Sequence, residues 1–295
     1  MSRTLSYTVG AEDAGLAVRD VVRREFHLVA HDAARAKYRT EGGISVNGET
    51  SLMNRVLKEG DIVRVILADE MPDKILPAEG PLDILYEDED LICLNKPAGL
   101  VVHPSHGHFA DTLANYLAHY FLKKGEPHEI RTVGRLDKDT SGVICFAKSR
   151  TAAAIMAGQT GEGAAQKTYL ALAEGTFDEN AGEIDAPISR EYEEKIRRVV
   201  REDGAHAVTH YSVVTQYAGY ALVRLSLETG RTHQIRVHMA HIGHPLLGDP
   251  IYGSARPGLA RAALHAASIS MKQPFTRQAL TITAPLPEDM AVYKK

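Results

Sequence analysis

Residues 207–227 read AVTHYSVVTQYAGYALVRLSL. The stretch holds two long strand candidates, 207–214 and 220–227, adjacent in the chain with only a short connection containing Gly219. Further strand candidates lie upstream at 168–173, 143–147 and 91–95, and another downstream at 280–283. Apolar periodicity gives helices over 111–123, 151–159 and 233–242. Long strands in succession, with no regular strand–helix–strand rhythm, predict an α+β fold on a mixed, largely antiparallel sheet.

Upstream of that unit, residues 68–90 hold nine acids (Asp69, Glu70, Asp73, Glu79, Asp83, Glu87, Asp88, Glu89 and Asp90) against Lys74 alone. Within it MPDKILPAEGPL, 71–82, has three prolines and a glycine, the composition of a linker. The chain therefore divides into residues 1–68, an acidic Pro-rich linker over 69–82, and a larger unit over 83–295. In the first, a strand over 5–9 precedes an amphipathic helix with Leu16, Val18, Val21, Val22 and Phe26 on its apolar face. Arg19, Arg23 and Arg24 lie on or beside the polar side, and a second helix carries Arg35, Lys37 and Arg39. Ile44-Ser45-Val46-Asn47-Gly48 runs a strand into an Asn-Gly hairpin turn, and Ile62, Val63, Val65 and Ile66 form a closing strand. GISVNGE followed by LKEGDIVRV resembles the alpha-L RNA-binding domain, named for a small-subunit ribosomal protein. That resemblance implies a small N-terminal α+β RNA-binding domain; a face of solvated charges is the simpler alternative.

Over all 295 residues, 34 Lys and Arg stand against 38 Asp and Glu, a net charge of −4. The total argues against a polyanionic partner, but residues 68–90 alone carry −8, leaving +4 on the rest. Distribution matters more than the sum. With 44% apolar and 24% charged residues the composition is globular. The start, MSRTLSYTVG, has no apolar signal core, and no run approaches the ~18 apolar residues of a membrane span. A cytoplasmic protein with no membrane partner is expected. Cys93 and Cys145 make neither a disulfide framework nor a zinc quartet. His238, His241 and His244 stand three apart, not in the i, i+4 zinc pairing, so no metal is expected. Gly158, Gly161 and Gly163 lack the P-loop Lys and the dinucleotide fingerprint, and Ser141 lies in no G-x-S-x-G elbow.

Three segments carry candidate chemistry. In GRLDKDTSG, 134–142, an extended Arg135-Leu136-Asp137 sends cation and carboxylate to one side and anchors Leu136 on the other. Turn chemistry follows over 139–142; a polar turn satisfied by Asp139 is the alternative reading. In ETGRTHQIRVH, 228–238, Thr232 reads as the cap of a helix with an inward stripe of Ile235, Met239 and Ile242, ended at Gly243. Arg231, His233 and Arg236 then gather at its N-terminus. Cations there oppose the macrodipole by about 0.3–1 kcal/mol each unless an anion lies among them. In KTYLALA, 167–173, alternation puts Leu170 and Leu172 on one face and Tyr169 with Ala171 and Ala173 on the other. That leaves room for a flat ligand on the ring, with core packing as the alternative.

In order along the chain, NKPAGLVVHPS, RLDKDTSG, KTYLALAEG, LETGRTHQIRVHMAHIGHPLLGDPIYG, LHA and APLPED resemble the RluA family of RNA pseudouridine synthases. The resemblance implies a cofactor-free, monomeric isomerase of RNA uridine, with large-subunit ribosomal RNA as the expected substrate and transfer RNA as the alternative. It also implies Asp137 as the nucleophile, Arg135 as the residue that helps displace the target base, and Tyr169 stacked on the uracil. Arg236 is implied as the cation paired with Asp137, and Leu264 as a packing residue of the pocket. Gly134 stands where the family usually has His, and Gly there is typical of a sister family acting on ribosomal RNA. Met271 and Gln273 replace the more usual Phe and His. A noncatalytic RNA-binding or ribosome-assembly factor on the same fold is the rival, and the intact Asp137, Tyr169 and Arg236 speak against it. An RNA N-glycosidase would want a second carboxylate to activate water, for which Asp139 is the sole nearby candidate.

Overall fold

The computed structural model describes residues 3–26, 28, 33, 36, 43–67, 75–126, 128–192 and 196–294. The helix expected around Arg35, Lys37 and Arg39 lies outside them, as do residues 68–74 of the acidic stretch.

Four strands near the N-terminus, β1 (Arg3–Thr8), β2 (Ile44–Val46), β3 (Glu49–Thr50) and β4 (Ile62–Leu67), form an antiparallel sheet in the order β1-β4-β2-β3. Asn47 and Gly48 turn β2 into β3 with φ of 54° and 86°, the paired positive angles of a two-residue hairpin. The helix Val18–Glu25 buries Val18, Val21 and Val22 against this sheet. Its far side exposes Arg19 and Arg23, while Arg24 pairs with the buried Asp13.

The larger unit begins with β5 (Ile84–Glu87), β6 (Leu91–Lys96), β7 (Arg131–Val133), β8 (Ser141–Ala147), β9 (Gln166–Glu174) and β10 (Ala181–Asp185). A separate hairpin follows, β11 (Ile188–Arg190) with β12 (Arg198–Val200), and then β13 (Val208–Tyr217), β14 (Tyr220–Leu227), β15 (Leu264–Lys272) and β16 (Ala279–Thr283). Apart from the hairpin they form one sheet ordered β10-β13-β14-β9-β15-β8-β6-β5, with β16 added on β15 and β7 on β8. Among the described strands only β15 and β8 pair in parallel, so the sheet is mixed and largely antiparallel, as the sequence predicts. Its main core joins Ile92, Leu94, Ile144 and Phe146 to Leu113, Leu117 and Phe121 of the helix Leu113–Lys124. On the other side Val143, Cys145 and Leu91 meet Ala152 and Met156 of the helix Arg150–Gly161. Cys93 and Cys145 lie directly opposite one another on β6 and β8 and are joined as a disulfide, a single cross-strand link.

The two sheets meet at Arg3, which pairs with Glu89 and with Asp90 (3.1 Å) and lies over the Phe275 ring, 5.6 Å from its centroid. Phe275 packs on both cores. Beyond the undescribed residues the chain runs along the helix Leu113–Lys124, where Asn115 Nδ2 donates to the Leu76 carbonyl (2.7 Å). No helix among the described residues is long and apolar enough to cross a membrane.

β8 and β15 approach so closely that Gly142, at φ +107°, has no room for a side chain; a Cβ would be driven into the Ala266 carbonyl. Gly142→Ala is expected to cost about 3 kcal/mol or more, from backbone strain and the displaced strand together. Urea unfolding checks this as a lowered midpoint at unchanged slope. An unmoved midpoint would refute the close approach.

Candidate active site

After β7, Gly134 turns the chain at φ +72° toward β8. Leu136 is buried, Arg135 exposed and Asp137 half-buried, the alternation expected of extended backbone. Thr140 N closes the turn on the Asp137 carbonyl at 3.1 Å. Two buried cations fix this loop from inside the protein. Lys96, at the end of β6, donates to the carbonyls of Pro97, Leu100 and Lys138 at 2.8, 2.8 and 2.7 Å. Burial pulls its ammonium down to about 7, and the charges of Asp139 and Asp137 resist that pull. Arg261 donates Nη1 to the carbonyls of Asp139, Ala262 and Leu264 at 3.2, 3.1 and 3.1 Å. Its Nε and Nη2 grip Asp289 at 2.7 and 2.9 Å. Neither cation was singled out from the sequence; a lysine closing an otherwise apolar strand, LICLNK, was the available signal for Lys96.

β9 places Tyr169, Ala171 and Ala173 in the main core and Leu172 in the cluster on its other side, as the alternation predicts. Tyr169 stands in register between Leu225 of β14 and Ala266 of β15, so apolar neighbours flank the ring. Its hydroxyl bonds to no described residue. Burial, and then the nearby Asp137 charge, push the phenol above its ordinary value, which leaves the hydroxyl a donor at neutral pH. Leu264 pairs with Ala171 and is buried in the same cluster.

The helix Gln234–His241 differs at its start from the sequence reading. Thr232 does not cap it; His233 does, in the left-handed conformation at φ 59° and without a capping side-chain bond. Gln234 supplies the missing fixation. Its Oε1 accepts from Arg231 N and Thr229 Oγ1, both at 2.9 Å, and its Nε2 donates to the Val208 carbonyl at 2.9 Å. Ile235 and Met239 are buried as expected. The anion among the cations is Asp249. Arg236 Nε and Nη2 donate to its two oxygens, each at 2.6 Å, with both residues buried. The guanidinium fork expected on Asp137 is therefore occupied, and Asp137 acts on Arg236 only through space. Burial alone would lower Arg236; Asp249 and then Asp137 raise it above its ordinary value. Asp249 Oδ1 also accepts from Ile251 N at 2.9 Å and Tyr252 N at 3.2 Å. The Tyr252 ring lies 5.1 Å from the guanidinium carbon, and its hydroxyl meets His233 Nδ1 at 3.0 Å. Burial and the Arg236 charge hold the His233 imidazole below its ordinary value.

The Asp137 charge thus reaches Tyr169, Arg236, His233 and Lys96, while its own oxygens bond to no described residue. A partnerless carboxylate beside a phenol donor, an apolar wall and cations satisfied elsewhere can act as nucleophile toward a flat, uncharged ring. Arg135 stands exposed two residues before Asp137. Among the described residues, metal-type ligands gather at Glu183, His210 and Glu228. There the carboxylates face opposite ring nitrogens of His210, Nδ1 at 3.4 Å and Nε2 at 2.8 Å, so the imidazole bridges the acids. His238 and His244 have separate duties, on the Ala186 and Glu174 carbonyls.

A sequence profile of the family described as RNA pseudouridylate synthase matches residues 90–241. An uncharacterised RNA pseudouridine synthase of Bacillus subtilis (strain 168) is 44% identical over 249 residues, 84% of this chain and 82% of that protein. A ribosomal large subunit pseudouridine synthase D of Nitrosomonas europaea is 40% identical over 258 residues, covering 84% of this chain and 75% of that one. Among solved structures, human RNA pseudouridylate synthase domain containing 4 superposes with a TM-score of 0.59 at 26% identity, over 71% of this chain and 90% of that one.

Asp249→Asn keeps the size of the carboxylate and leaves the Arg236 guanidinium buried without a counter-charge. It is expected to cost about 3–5 kcal/mol of folding stability, measured by urea unfolding. A loss below about 1 kcal/mol would place the pair in the solvated class.

Proposed function

The chain belongs to the RNA pseudouridylate synthase family, and from that premise we propose that it isomerises uridine in large-subunit ribosomal RNA with Asp137 as its nucleophile. The substrate class is supported by the relative named for the large ribosomal subunit. The observation that carries the chemistry is the Asp137 carboxylate, partnerless among the described residues, with its charge felt at the Tyr169 hydroxyl.

The net reaction breaks the N1–C1′ bond of uridine, turns the uracil in its pocket and forms a C5–C1′ bond. The proton on C5 leaves and N1 takes one up, so atoms and charge balance without an external reductant or energy source. A uridine stacked in RNA must first leave the stack, and Arg135, exposed at the mouth, is the side chain that fills the space left behind. The flipped ring lies against Tyr169, with Leu264 closing the apolar side. Asp137 bonds to C1′ as the N1–C1′ bond breaks, and leaves C1′ as C5 of the rotated uracil bonds there, so the carboxylate is regenerated. Arg236 is held by Asp249, so no direct bond from its guanidinium competes with substrate for Asp137. The N-terminal sheet unit, with Arg19, Arg23 and Arg64 exposed, is the added RNA anchor.

Asp137→Asn is expected to lower single-turnover release of tritium from RNA carrying 5-tritiated uridine by at least about 1,000-fold, with RNA affinity kept. Retained activity would reject Asp137 as the nucleophile. Tyr169→Phe is expected to bind RNA as the wild type does and to lose most of its turnover, because the protonated hydroxyl is a donor to the reacting ring. A fully active Phe variant would reduce Tyr169 to a stacking surface. Mapping pseudouridines in ribosomal RNA from a deletion strain, with and without the gene restored, tests the substrate class.

A further inference from the structure

Lys167 has no part in the chemistry above. It lies on β9 two residues before Tyr169, is half-buried, and forms no hydrogen bond or ion pair with any described residue. Burial alone draws its ammonium down to about 8; the Asp137 charge, felt at Tyr169, does not register there. Lys167 is therefore not a counter-ion of the nucleophile. What it faces is Gly134, the first residue of the loop that carries Asp137. A Cβ on Gly134 would stand 3.4 Å from Lys167 Nζ, so any larger side chain would cover the ammonium. With glycine there, no side chain of residue 134 covers it. The next residue, Arg135, is exposed and likewise partnerless among the described residues. Two cations without anions thus flank one glycine at the mouth of the site. An ammonium held partly out of water gains most from an anion that brings its own charge, and RNA offers one at every nucleotide.

We infer that Lys167, reached across Gly134, binds a backbone phosphate of the RNA strand next to the target uridine. This rests on the reading of RNA as the substrate and adds a subsite to it: Asp137 and Tyr169 engage the base, and Lys167 holds the strand.

The test compares full-length wild type, Lys167→Met and Lys167→Arg on an unmodified transcript of large-subunit ribosomal RNA. Met keeps the stem and removes the charge that burial disfavours, so a folded protein is expected. For Lys167→Met the slope of log affinity against log salt should become shallower by about 0.7–0.9, the value for one lost phosphate contact. KM should rise several-fold, while the single-turnover rate at saturating RNA stays within about twofold of wild type. Lys167→Arg should restore the slope. A second measurement needs no variant: RNA should protect Lys167 of the wild type from amine acetylation, read by mass spectrometry. An unchanged slope in the Met variant, a loss confined to the saturated rate, or full acetylation of Lys167 in the RNA complex would each overturn the inference. A wild type that binds this RNA without isomerising it would sink the functional reading instead, and the slope and protection data would still judge the phosphate subsite.

Discussion

The large sheet is held together at one seam. Its halves join where β15 runs parallel to β8, and only His265 with Ser141 and Ala266 with Gly142 are in register there. Parallel pairing over two residues is a weak joint by itself. Side chains reinforce it: Ser141 Oγ meets His265 Nδ1 at 3.0 Å, and Arg261 ties the Leu264 carbonyl to the carbonyl of Asp139. The glycine at 142 lets the strands close to backbone contact. The loop bearing Asp137 enters β8 at this joint, so the position of the carboxylate is set by whatever sets the seam. Lys96 adds the third anchor, reaching from β6 to the Lys138 carbonyl.

The same economy governs charge. Three cations around the loop are bonded to groups other than Asp137: Arg236 to Asp249, Arg261 to Asp289, and Lys96 to three carbonyls. Had Arg236 held Asp137 in a bidentate grip, the substrate would have to break a buried ion pair before the carboxylate could react, at a cost of several kcal/mol. With the fork occupied, the field of the guanidinium remains and the oxygens of Asp137 stay available. Binding and orientation are separated from reaction, which is what a nucleophile that must bond covalently and then let go requires.

Local order was legible where a pattern is local. β14 lies at 220–227 as read, because Val223, Leu225 and Leu227 alternate with Arg224 and Ser226 on a strand flanked on both sides. β15 was not read as a strand. Its sequence, LHAASISMK, offers small and polar residues in the middle, and the register shift between Ala266 and Ser268 breaks the two-residue period that would have betrayed it. The candidate site follows the same division. The alternation of Arg135, Leu136 and Asp137, and of Tyr169 with its alanines, comes from backbone geometry within a few residues, and both were visible. The partner of Arg236 was not: Asp249 returns to the guanidinium only after the helix has ended and the chain has doubled back, thirteen residues on. Thr232 failed as a cap for a related reason. Gln234 reaches β13 and fixes the helix start by tertiary bonds, leaving His233 to take the strained position.

Net charge misleads here for a physical reason that the acidic stretch makes plain. Glu87 accepts from Tyr120, Lys124 and Lys148 at 2.7, 3.1 and 2.7 Å, which holds it down to about 2 even though burial works the other way. Asp88 caps the backbone of Asp90 and Leu91 at 2.8 and 2.7 Å, and Asp90 is itself buried against Gln273 and Arg3. Gln273, one of the departures from the resembled family, is thus the hub that binds two of these acids while its Oε1 accepts from Phe275 N and Thr276 N. Arg3 brings the N-terminal sheet onto the same cluster. These carboxylates are occupied in joining β5, β6 and the N-terminal unit, with Glu87 and Asp90 also paired to cations. A phosphate backbone at a distance of a Debye length, about 8–10 Å, responds to local charge, and Arg135 and Lys167 beside Gly134 are cations that form no ion pair with a described residue. A chain with an overall charge of −4 can therefore still present local cations, because Glu87, Asp88 and Asp90 among its acids serve architecture.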